Sequence, residues 1–233
     1  MITVKIADIP IGIDNRYDYI ERISQDYLTD DEPLFAVFAT DEDLEYEQTL
    51  ADADLSLGYI ESVALFRKIA ERLPMYDAVV FHGAVLAKSN RAYAFTAKSG
   101  VGKTTHTRLW LTEFGSEVHY INGDKPIIRI VNGVPYAYGT PWRGKEGYGT
   151  NESAPLAAIA LLERGENNAA EIIDSSQGVV RLVKQVYIPK DPVCASLAMR
   201  VADRILASVR FIELKCNMDN EAALVSARAM LID

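Results

Sequence analysis

The segment RAYAFTAKSGVGKTTHTRLWLTEFG, residues 91–115, constrains this chain more than any other. A run of strand character leads into a glycine loop, and the loop opens a helical pattern that stops near Gly115. Strand, loop and helix in that order form the setting of the phosphate-binding pattern G-x-x-x-x-G-K-[ST]. Residues 97–104 read A-K-S-G-V-G-K-T, so Ala97 takes the first position and the other motif positions are intact. Gly100 and Gly102 let the backbone turn tightly and bring N–H groups toward phosphate oxygens. A helix starting near Lys103 adds its positive dipole end and unpaired amides. The pattern assigns Lys103 to the terminal phosphates of a nucleoside triphosphate and the Thr104 hydroxyl to Mg²⁺. The competing reading is a glycine-rich strand-to-helix turn with a chance lysine.

Composition narrows the ligand. The chain of 233 residues suits one domain, or one domain with a small extra lobe. Its formal net charge of −9 lacks the positive field of a general nucleic-acid binder, yet leaves a local anion site open. Nucleic acid is therefore excluded as a partner, and ATP or GTP is not. The start MITVKIADIP does not read as a signal peptide, and no apolar run has the ~18 residues of a membrane span. Cys194 and Cys216 have no metal-ligand spacing and read as buried reduced thiols, which suits a cytoplasmic protein.

The chain divides at a change of texture. Residues 1–75 read as an N-terminal lobe: TVKIADIPIGI alternates like an edge strand, and YIESVALFRKIAERLP follows as a packing helix ended by Pro74. Residues 76–233 hold the chemistry. AVVFHGAVLA and RAYAFTA read as strands joined at KSN, EVHYING as the next strand, and KPIIRIVNGVPYAYG as a hairpin turned at Asn132-Gly133. AAIALLERG predicts a buried strand, and the C-terminal third reads as helical with VRFIELKC inserted as a strand.

Phosphoryl transfer requires more than a binding loop: an acidic metal ligand, a group that handles the nucleophile, and cations for the developing charge. Asp124 ends the strand after the loop's helix, where it suits a metal ligand or general base, or a turn aspartate beside Gly123. His82, inside VVFHGAV, is either a satisfied core histidine or a polar site residue. The stretch GTPWRGKEGYGTN, residues 139–151, sets Arg143, Lys145 and Glu146 among glycines, in a loop that either closes on an anion or is solvated. Trp110 and Trp142 read as packing residues.

The order HGAVLA…SGVGKT…NGDKP is similar to the C-terminal catalytic domain of HPr serine kinase/phosphorylase, within the wider phosphoenolpyruvate carboxykinase-like group. The chain also resembles short HPr kinase-like proteins, some encoded beside peptide-modifying systems, over about residues 76–230. The resemblance implies an α/β fold: a phosphoenolpyruvate carboxykinase-like P-loop domain with a mixed β-sheet flanked by helices, plus the small N-terminal lobe. It implies that Ser99, Gly100, Val101, Gly102, Lys103, Thr104 and Thr105 hold the triphosphate and that His82 lies near the transferred phosphate. It further implies that Asp124 is base or Mg²⁺ ligand, and that Arg143, Lys145 and Glu146 complete the site. The family carries paired aspartates where this chain has Asp124-Lys125, and the elements that dock HPr are not recognisable.

The expected activity is a kinase that moves the γ-phosphoryl of ATP or GTP to a hydroxyl, on a serine of a peptide or on a small metabolite. A nucleotide-binding regulatory module without turnover is the alternative, followed by a carboxykinase-like lyase. The acceptor, the preferred base and any homo-oligomer stay open.

Overall fold

The isoleucines of the N-terminal segment set the first sheet. The structure is a computed structural model that describes residues 1–51, 53, 55–98 and 100–231. Ile2–Ile6 (β1) and Ile9–Asp14 (β2) pair antiparallel, and Phe35–Phe38 (β3) joins β2 in parallel. TVKIADIPIGI is thus a hairpin, not one edge strand. Ala7 and Asp8 both take positive φ (51° and 58°), the two-residue turn whose twist suits a hairpin. Helix α1 (Tyr19–Ile23) and helix α2 (Asp41–Thr49) precede α3, Leu57–Arg72, which Ser56 caps through the Tyr59 N–H. Ile60, Ala64, Leu65 and Ile69 line the buried face of α3 at helical spacing. Beyond Arg72 the chain tightens into a 3-10 turn, Leu73–Tyr76, with Pro74 inside it rather than at a clean stop.

This cluster does not end at residue 75. Ala78, Val80, Ile127 and Tyr138 belong to it, while the Tyr138 hydroxyl donates to Asp8 (2.7 Å) and Arg129 donates to the Ala7 carbonyl (2.7 Å). The N-terminal segment therefore packs directly on the strands that follow it.

Among the described residues the main sheet has nine strands in mixed orientation. AVVFHGAVLA splits into Ala78–Val80 (β4) and Ala84–Lys88 (β5), with His82 and Gly83 between them. Arg91–Thr96 (β6) feeds the glycine loop and helix α4, Lys103–Phe114. Val118–Asn122 (β7) follows, then the hairpin Ile127–Val131 (β8) and Val134–Tyr138 (β9), turned at Asn132 (φ 51°) and Gly133 (φ 83°). Ser153–Arg164 (β10) is the fork: its start pairs antiparallel with β9, and its remainder runs parallel to both β6 and Arg210–Cys216 (β12). Ala169–Ile173 (β11), unpredicted because its residues are mostly exposed, pairs with β12. Helices α5 (Ser175–Val183), α6 (Pro192–Ser208) and α7 (Glu221–Met230) complete the chain.

Both faces of the central strands are covered, which is why they read as nearly continuous apolar runs. On β6, Ala92 and Ala94 face α6, whereas Tyr93 and Phe95 face α4 and α7. Cys194 and Cys216 are free and partly buried rather than fully so. Among the described residues no helix is long and apolar enough to cross a membrane.

His106, on α4, is locked in this packing. The Ser226 hydroxyl donates to the Ala223 carbonyl (3.0 Å) and accepts from Trp110 Nε1 (2.7 Å). Its 2.9 Å contact with His106 Nε2 then makes that nitrogen the donor, so the imidazole is the neutral Nε2–H tautomer. Burial pushes the His106 pKa down from 6.5 to about 4. In the window between those values the unfolded chain binds the proton and the folded chain does not, so stability falls as pH falls through it. Wild type is expected to lose on the order of 3 kcal/mol more than His106→Gln between pH 7 and pH 4. Urea unfolding of both proteins at the two pH values checks this, and parallel losses would refute it.

Candidate functional site

Strand register brings the sequence motifs to one edge of the sheet. Ala84 of β5 lies opposite Phe95 of β6, and Val85 lies opposite Asn122 of β7. The start of β5 and the ends of β6 and β7 are therefore neighbours, so His82, the glycine loop and Asp124 converge. Lys103 Nζ lies 3.5 Å from His82 Nε2, and His82 Nε2 lies 3.8 Å from Asp124 Oδ1.

Each member is held by its backbone. The His82 N–H donates to the Gln185 carbonyl (2.7 Å), the Gly83 N–H donates to the Asp124 carbonyl (3.1 Å), and the Thr96 hydroxyl lies within hydrogen-bond reach of the His82 carbonyl (2.8 Å). Gly83 is required by space: a Cβ there would meet the Phe95 carbonyl oxygen at 2.8 Å and the Phe81 ring at 2.5 Å. In the loop, Gly100 (φ 78°) and Gly102 (φ 123°) take conformations that side chains avoid. Gly102 precedes α4 with no side chain to cap it, and first-turn amides have no partner within a helix. The Arg164 guanidinium, at the end of β10, donates to the Gly100 carbonyl (2.6 Å). Ser99 lies outside the described residues. Val101 and Thr104 are partly buried and Thr105 is exposed.

The electrostatics follow from this crowding. Burial, and then the Lys103 ammonium, hold His82 below the usual imidazole range, against the opposing pull of Asp124. Burial likewise lowers Lys103. Lys125 Nζ binds Asp124 Oδ2 at 2.9 Å, so the carboxylate is shared between a lysine and the His82 side. With Lys103 and Lys125 against Asp124 alone, the spot is locally cationic in an acidic chain, as an anion site needs to be.

The 139–151 loop lies over Asp124. A Cβ on Gly144 would meet that of Asp124 at 2.8 Å, and Gly123 packs against the Tyr148 and Arg143 carbonyls. Arg143 itself points its guanidinium at Asp26, with Nη2 to Oδ2 at 2.8 Å. Asn151 Nδ2 donates to the Asp26 carbonyl (2.6 Å), and the Tyr27 hydroxyl donates to the Thr150 carbonyl (3.0 Å). The loop is therefore pinned to the N-terminal segment, and its arginine bonds there rather than to His82, Lys103 or Asp124. Lys145 and Glu146 are exposed on the turn between Gly144 and Gly147. Trp142 packs on Phe66 (ring centroids 4.4 Å apart) and Trp110 lies in the core.

The residue that sequence reasoning missed is Asn122. Its fully buried amide oxygen accepts from the N–H groups of Asp124 (2.8 Å) and Lys125 (2.7 Å). Its amide nitrogen donates to the Thr140 hydroxyl (3.0 Å) and to the Trp142 carbonyl (3.3 Å). One side chain thus fixes both the aspartate and the start of the covering loop. The signal was present as an uncharged amide ending an apolar strand, but its partners lie 18 and 20 residues away.

For a metal, the available donors near the loop are the Asp124 carboxylate and the Thr104 hydroxyl. Such oxygen donors suit Mg²⁺ that also takes phosphate oxygens and water. Among the described residues no three His, Cys, Asp or Glu side chains cluster as a protein-only cage.

No family model matches the chain, and no curated protein matches it. Among solved structures it is similar to the HPr(Ser) kinase/phosphatase from Coxiella burnetii, with 9% identity and a TM-score of 0.36. That match covers 64% of this chain and 91% of the other. The likeness is distant, and the case for function rests on this chain's own residues.

Replacing Asn122 by Ala leaves the Asp124 and Lys125 amides without their acceptor. The expected cost is about 2–3 kcal/mol of stability, read as a shifted urea midpoint with an unchanged slope. A variant as stable as wild type would mean that the network carries little.

Proposed function

We propose that the glycine loop and the start of α4 bind the phosphates of ATP or GTP, and that the chain transfers the γ-phosphoryl to a hydroxyl. The meeting of Lys103, His82 and Asp124 at the end of the loop strand carries this reading. Loop and first-turn amides bind phosphate oxygens, and Lys103 adds a cation at the terminal phosphate. Asp124 accepts the proton of the attacking hydroxyl, with Lys125 holding its other oxygen. His82, whose pKa burial holds down, sits between Lys103 and Asp124 and hydrogen-bonds the transferred group. Thr104, with Asp124 as the alternative to its role as base, would hold Mg²⁺, which would neutralise phosphate charge. Arg143 reaches the phosphates only by giving up Asp26, so its part belongs to a rearranged loop. Lys145 and Glu146, exposed on the same loop, would complete the site from it.

One observation favours a second reading, a nucleotide-sensing module without turnover. Lys125 sits where a second acid would serve catalysis, and it binds Asp124 directly.

Calorimetry with ATP and Mg²⁺ tests binding: Lys103→Ala is expected to weaken affinity at least about a hundredfold. Unchanged affinity would remove the phosphate site. Transfer from γ-labelled ATP is expected to drop on the order of 10²–10⁴-fold in Asp124→Asn with binding retained. Binding without any transfer in wild type, across hydroxyl acceptors, would favour the sensing module.

A further inference from the structure

Beside His82 opens a cavity of about 440 Å³ that shares no lining residue with the pocket at the glycine loop. Its size suits a small molecule rather than a solvent crevice. One wall is apolar: Val63, Phe66 and Ala70 of α3, at spacings of three and four, with Val80 of β4 and Val186. Val186 is placed by its bridge to Phe81, which brings the end of α5 against the strand leading to His82. Lys125, which pairs with Asp124, and Lys184 also line the cavity, and so does the Glu47 carboxylate. Arg67 also lines the cavity but is committed to Asp43, Glu47 and Glu71. Lys184 is exposed and has no ion-pair partner among the described residues.

The two kinds of lining ask for two kinds of group. An apolar wall gains by covering from water, and an unpaired lysine gains from an anion. We infer that this cleft is the acceptor subsite, and that the acceptor is a small hydroxy acid. Its apolar body lies on α3, its carboxylate on Lys184, and its hydroxyl toward His82 and Asp124. The inference rests on the phosphotransfer reading. In the step, the hydroxyl oxygen forms a bond to the γ-phosphorus and the bond from that phosphorus to the bridging β–γ oxygen breaks. The hydroxyl proton passes to Asp124, and the nucleoside diphosphate leaves with the bridging oxygen. The N-terminal segment thereby chooses what the glycine-loop site phosphorylates.

N-octanoyl-L-serine carries all three groups. Its amide lacks the carboxylate, and N-acetyl-L-serine lacks the apolar body. Calorimetry on the full chain is expected to show octanoylserine binding about tenfold tighter than either partial compound. Lys184→Glu, at an exposed position, is expected to erase the advantage over the amide. Val63→Arg, which fills the cleft from a partly exposed position, is expected to weaken octanoylserine and its amide but not N-acetyl-L-serine. ATP affinity, measured on the same proteins, stays at the wild-type value in both variants. Equal affinity for the three compounds, or a carboxylate preference that survives Lys184→Glu, would overturn the inference while intact ATP binding leaves the phosphate site standing. Octanoylserine binding with the expected preferences but no labelled phosphate transferred to it would overturn the acceptor role of the cleft, and transfer to another hydroxyl compound would leave the kinase reading standing. Loss of ATP binding in wild type would defeat both.

Discussion

Asn122 is the joint on which the site turns. Its amide has four hydrogen-bonding capacities in a place without water, and it spends them on two different stretches of chain. Two accepted bonds bend the backbone after β7 so that Asp124 leaves the sheet edge at a set angle. The donated bonds draw in the start of the 139–151 loop. An aspartate at a strand end would otherwise swing with its turn, and catalysis by a carboxylate needs a position fixed to a fraction of an ångström.

Around that joint the antiparallel pairing of β5 with both β6 and β7 does the gathering. Side chains separated by 21 residues, Lys103 and His82, and by 42, His82 and Asp124, come within 4 Å because three strand ends share one edge. The crowding of Lys103 and His82 in partly buried space also lowers the pKa of both. Burial and Lys103 hold the histidine below its usual range, and two lysines beside one carboxylate leave the spot positive. A chain with a net charge of −9 thus keeps one cationic spot where the sheet edge meets a helix start.

The N-terminal segment is part of this arrangement rather than an appendage. It shares an apolar cluster with β4, β8 and β9, holds Arg143 through Asp26, and supplies α3 as one wall of the cleft beside His82. Read as sequence, residues 1–75 held no chemistry, because apolar helix positions such as Val63 and Phe66 look the same whether they face a core or a cleft. The short β4 was likewise fused with β5, since AVVFHGAVLA keeps one apolar texture across the change of sheet partners.

Local pattern by itself determined a good deal: the strand–glycine loop–helix at 91–115, the Asn132-Gly133 hairpin and the packing role of both tryptophans. Those features depend on periodicity and turn chemistry, which neighbours in sequence express. Tertiary structure alone decided that His82 meets Lys103 and Asp124, that Asn122 governs the aspartate, and that Arg143 is bonded to Asp26. It also decided that Lys125 shares the Asp124 carboxylate and that a cleft opens against α3. These are outcomes of strand register and of burial between distant segments, and a hydrogen bond across 18 or more residues leaves no periodic trace in the chain that makes it.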